Sequence, residues 1–62
     1  MNYSQLLQKV WRFALNEEKT FDLDPELAAK GQAWIVMELG RDLGYGISGR
    51  LEGLKFTVRR IN

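Results

Sequence analysis

Arg50, Lys55, Arg59 and Arg60 are the side chains in this sequence best suited, by type and spacing, to a chemical task. A guanidinium grips an oxyanion with two parallel N–H bonds, and an ammonium acts on it as a compact point charge. Residues 43–62 carry four bases and one acid, whereas residues 1–42 carry five bases and seven acids. A net charge of +1 therefore conceals a basic C-terminal third, and phosphate groups, including those of nucleic acid, are the partner such a surface would take. The plainer explanation is a solvated sheet face, or pairing of these bases with acids of a neighbouring subunit. No exposed aromatic is interleaved with them, so base stacking is not indicated.

Other chemistries fail on residue type. With no His and no Cys, the chain has no disulfide, no imidazole or thiolate zinc site, no cysteine nucleophile and no histidine base. Ser4 and Ser48 have no base to activate them, and no phosphate-binding Gly-x-x-x-x-Gly-Lys sequence occurs. Asp22-x-Asp24-x-Glu26 alternates acids as a calcium loop does, but Leu27 and Ala33 stand where that loop needs Gly and Glu. Gly44-x-Gly46-x-x-Gly49 has the spacing of a dinucleotide fingerprint, yet it leads into a strand where that motif opens a helix. A helix-turn-helix over 26–44 would begin its reading helix with Ala33-Trp34-Ile35-Val36-Met37, which offers base edges nothing polar. The expectation is a non-enzyme with no catalytic residues, no cofactor and no metal.

The elements that position the basic residues follow from local signals. Asn2 and Gln5 have capping-box spacing, with Met1 and Leu6 placed as a hydrophobic staple. A helix is expected over 3–16, apolar around roughly 200° of its circumference. Residues 17–24 read as an acidic connector within which Phe21 and Leu23 alternate with polar residues, permitting a short extended piece. Asp24-Pro25-Glu26 reads as the N-cap, N1 and N2 of a second helix over 25–43, closed by Gly44. Ala29, Ala33, Val36, Gly40 and Leu43 would form its packing seam. The alternative is a break at Gly31, with 33–39 as a buried strand. Residues 45–61 read as a β-hairpin about a Glu52-Gly53 turn, with Gly49 facing Phe56 and Arg50 facing Lys55. Arg50, Lys55 and Arg59 then share the outer face, and Arg60 falls near the end of the inner one.

These elements make one small α+β domain over residues 1–62, two helices on one face of a hairpin in the order α-α-β-β. So short a chain, without disulfides, usually gains stability from another subunit. The surplus apolar surface of both helices and the open edges of a two-stranded sheet argue the same way. The expected function is a small interaction and regulatory module that forms a homo-oligomer, a dimer first, and makes protein–protein contacts. Trp11, Phe13, Leu15, Trp34 and Met37 are its expected interface, and nucleic-acid binding on the hairpin is the alternative. The longest apolar run, residues 33–37, is too short to span a bilayer. The opening residues lack the pattern of an export signal. A cytoplasmic protein without a membrane partner is expected.

Overall fold

In the computed structural model, which describes residues 1–62, Asn2 starts the first helix through the expected capping box. The Gln5 N–H donates to Asn2 Oδ1 at 2.9 Å, and the Asn2 N–H donates to Gln5 Oε1 at 2.9 Å. Helix α1 covers Tyr3–Val10 and stops well short of residue 16. Its continuation is lost to tertiary partners that capture the backbone. The Tyr45 hydroxyl donates to the Val10 carbonyl, and Arg60 Nη1 donates to the Phe13 carbonyl at 2.8 Å. Glu17 Oε1 takes the Ala14 N–H at 2.9 Å, and Asn16 turns the chain at φ 68°. Asparagine is among the few side chains that tolerate that left-handed region.

The acidic connector then supplies a strand. β1 (Glu18–Asp22) lies antiparallel beside β3 (Lys55–Arg60), which pairs on its other side with β2 (Ile47–Glu52). The α+β class therefore stands, while the two-stranded hairpin becomes a three-stranded sheet of order β1-β3-β2 and the element order becomes α-β-α-α-β-β. Five residues of which only Phe21 is apolar cannot declare themselves a strand, because their hydrogen-bond partners lie more than thirty positions away.

The second helix is two. α2 (Pro25–Ala28) ends in a turn, and α3 (Gln32–Leu43) begins after Gly31, whose φ of 93° a side chain would oppose. Residues 33–39 are helical, so the buried-strand alternative falls. Asp24 precedes Pro25 as expected but does not cap the helix with its side chain; its carboxylate meets the N-terminal ammonium at 3.2 Å. Restarting the helix at Gln32 resets its phase. Ile35 and Leu39 are fully buried, with Val36 and Leu43 packed beside them, while Ala29 and Ala33 face solvent. The continuous small-residue seam is thus not the packed one. Gly44 does close α3, at φ 74°.

The hairpin turns at Gly53-Leu54 rather than Glu52-Gly53, with Gly53 at φ 62°. A positive φ at the first loop residue is what a two-residue II′ turn demands. The pairing is accordingly displaced by two residues: Leu51 faces Phe56, Gly49 faces Val58 and Arg50 faces Thr57. A slip of two preserves which side chains share a face, whereas a slip of one would invert them. Phe56 still covers Gly49, diagonally. A Cβ built there would lie 2.6 Å from the Phe56 ring and 2.8 Å from Val36 Cγ2. Phe56 and Val58 sit at the middle of a core completed by Leu6 and Val10 of α1 and by Ile35 and Leu39 of α3.

Candidate functional site

β3 is the central strand, so its alternate side chains Lys55, Thr57 and Arg59 stand in the middle of the outer sheet face. Each forms a row with its cross-strand neighbours. The rows are Asp22–Lys55–Glu52, Thr20–Thr57–Arg50 and Glu18–Arg59–Ser48. Three bases thus meet three acids, and the face has no net charge. Lys55 Nζ donates to Asp22 Oδ1 at 2.7 Å, and that hydrogen bond, with the ammonium's charge, holds the Asp22 carboxyl below the usual carboxylate range. Arg50 lies 3.2 Å from Glu52, and Arg59 donates to Asn16 Oδ1 at 3.1 Å. The Thr20 and Thr57 hydroxyls bond each other at 2.8 Å.

This arrangement changes the basic surface in two ways. The like-charge pair of Arg50 and Lys55, which an anion would have relieved, does not form, because each faces a different residue across the strand. The acids expected from a neighbouring subunit come instead from this chain's own β1 and β2. What remains for a ligand is a shallow polar cavity of about 400 Å³ lined by Glu18, Ser48, Gly49, Arg50, Thr57 and Arg59. Arg60 is not part of it. Its guanidinium stacks on the Tyr45 ring at 4.2 Å and donates to the carbonyls of Phe13 and Asn62. That is a structural clamp between the 11–17 loop and the chain end.

The five expected interface residues separate into two groups. Phe13 is core, 3% exposed and stacked on Phe21 with ring centroids 6.4 Å apart. Trp34 is half-buried, edge-on to Tyr3 at 5.9 Å, with Lys30 Nζ 5.4 Å from its ring centroid. Trp11, Leu15 and Met37 are exposed at 55%, 60% and 60%. Sequence reasoning missed Ile61, which is 51% exposed. The alternation of β3 could have found it, since a residue following inward-facing Arg60 points outward. Trp11 and Leu15 lie on the loop after α1 and Ile61 directly follows β3, two segments that are tied to each other. The Asn16 N–H donates to the Arg60 carbonyl at 2.9 Å, which brings Leu15 beside Ile61. The Val10–Tyr45 hydrogen bond and the Tyr45–Arg60 stack link Val10, which precedes Trp11, to Arg60, which precedes Ile61.

A second cavity, of about 210 Å³, lies between the start of α1 and the α2–α3 turn and is lined by Asn2, Tyr3, Asp24, Glu26, Leu27, Lys30 and Trp34. The Tyr3 hydroxyl donates to Asp42 Oδ2. Burial, then that carboxylate, push its phenol pKa far up, so Tyr3 serves as a neutral donor and not as a base. No group of three acids converges as a metal-binding set, and no helix is long and apolar enough to cross a membrane. Compared with family models, with curated proteins and with solved structures, the chain matches none.

Proposed function

We propose that this chain is a non-enzymatic interaction module that self-associates, as a dimer, and docks protein partners through the segments carrying Trp11, Leu15 and Ile61. One observation carries the reading: three large apolar side chains, each at least half exposed, stand on two chain segments that the Asn16–Arg60 backbone hydrogen bond joins. Indole is over-represented where binding energy concentrates, because it buries much area for little lost rotamer freedom. Full burial of a large apolar side chain contributes about 1.5–3 kcal/mol, and here roughly half of each remains to be buried. Association costs an estimated 4 kcal/mol or more, so these three residues support a weak, concentration-dependent dimer.

Nucleic-acid binding on the outer face has less behind it, since the three acids of that face repel phosphates as its three bases attract them. Its remaining support is the cavity flanked by Arg50 and Arg59. Sedimentation equilibrium over a wide concentration range tests the first reading. Wild type should move toward the dimer mass. The variant Trp11→Ala/Leu15→Ser/Ile61→Ser should remain monomeric, and Met37→Ser, on the outer side of α3, should behave as wild type. A monomer at every concentration, or a dimer that survives the triple substitution, would overturn it.

A further inference from the structure

The sheet has two edges, and the chain treats them differently. Arg60 donates its N–H to the Glu17 carbonyl at 3.0 Å, and Leu23 donates to Leu54 at 2.8 Å. In an antiparallel ladder such bonded positions alternate, so the odd residues of β1 face β3. Glu18, Thr20 and Asp22 therefore direct their N–H and C=O groups away from the sheet. Met1 occupies the far end of that edge, where its ammonium donates to the Asp22 carbonyl at 2.7 Å and its carbonyl accepts the Asp24 N–H at 2.8 Å, which leaves the Asp22 N–H and both groups of Glu18 and Thr20 open. On the opposite edge, Gln32 Oε1 caps the outward N–H of Leu51 at 2.9 Å, and α3 lies over β2.

Charge decides what the open edge takes. On the outer face β1 presents Glu18, Thr20 and Asp22 in a row. A second copy paired antiparallel along the whole strand would set Thr20 against Thr20 and Glu18 against Asp22 twice over. Like charges directly opposed destabilise a sheet, so self-pairing here is resisted. We infer that β1 accepts, by strand addition, an extended basic segment of another protein. Its sequence requirement follows from the register. Bases stand opposite Asp22 and Glu18, and a hydroxyl residue stands opposite Thr20. On the inner face an apolar residue meets half-buried Phe21, and an acid meets Lys19. Read in the antiparallel sense, the motif is base, apolar, Thr, acid, base. The Asp22 carboxylate already holds Lys55 but has acceptor sites to spare for a second cation.

The probe is a capped peptide Lys-Val-Thr-Glu-Lys, titrated into the isotope-labelled full chain and followed by NMR. Saturable shifts centred on the amides of Glu18, Thr20 and Asp22 are expected. The charge-reversed peptide Glu-Val-Thr-Lys-Glu should bind about tenfold more weakly, as three opposed charge pairs, at Asp22, Lys19 and Glu18, become three like ones. The variant Glu18→Lys should narrow that preference, and its unchanged spectrum elsewhere would show that the fold is intact. Three results would each overturn the proposal: no saturable shift, equal binding of both peptides, or concentration-dependent shifts of these same amides in the protein alone. The last would mean that a second copy fills the edge. Because Trp11, Leu15 and Ile61 are not involved, the triple variant described above should bind the peptide as wild type does.

Discussion

Phe56 and Val58 are fully buried on the inner side of β3, while Lys55, Thr57 and Arg59, each one peptide away, stand on its outer side among charges and hydroxyls. The two sides of one strand obey different energetics. Inside, side chains touch apolar neighbours at fixed distances, so shape sets the cost of any change. Outside, exposed ion pairs in high dielectric add little, and water replaces whatever is removed. The contrast teaches that the face first suspected of function is the more replaceable one chemically, while the inner face holds the molecule together.

Phe56→Ala should break the inner side most severely. Truncating a buried Phe costs about 3–5 kcal/mol, a large share of what so small a domain has. Chemical denaturation should show a much lower midpoint or no folded baseline. Gly49→Ala comes next. The new methyl would meet both the Phe56 ring and Val36, and overpacking of this kind costs about 1–3 kcal/mol. A midpoint equal to wild type would mean that the ring moves aside freely.

Lys55→Ala on the outer side should have the smallest effect, leaving the midpoint at neutral pH and about 0.15 M salt almost unchanged. What it should alter is the acid limb. Because the Asp22 carboxyl is held below its ordinary value by Lys55, the pair's contribution is complete above about pH 4. It is lost as the pH falls through the lower folded-state value. Glu17 acts in the same sense: the Ala14 N–H it accepts, and then Lys19, lower its carboxyl. Denaturation midpoints followed from neutral pH to about pH 3 should fall less steeply for Lys55→Ala than for wild type. An identical slope would remove Lys55 as the cause.

Much of the local structure could be read from the sequence. The Asn2–Gln5 capping box, Pro25 at a helix start and Gly44 as a left-handed stop were all legible, because each depends on residues within a few positions of one another. So was the division of the hairpin into an inner and an outer face, since it needs only the period of two. The register was not legible, because a shift of two leaves that division intact and only the Gly53 turn selects between the alternatives. The end of α1 was not legible either. Val10, Trp11 and Ala14 continue the helical spacing of Leu6 and Leu7, and it is Tyr45 and Arg60, from the other end of the chain, that draw the backbone away.

Of the nine residues singled out for binding, Arg50, Lys55 and Arg59 share a face as expected, and Trp11, Leu15 and Met37 are exposed. Phe13 went to the core, Trp34 to a half-buried aromatic pair and Arg60 to a clamp. By itself the sequence determined where helices are capped, which side chains share a strand face, and which catalytic and metal chemistries His and Cys could not supply. Only the tertiary structure decided the charge of the outer face. An acidic segment that is remote in sequence becomes β1 and lies beside β3, and electrostatic fields depend on distance in space, not on position along the chain.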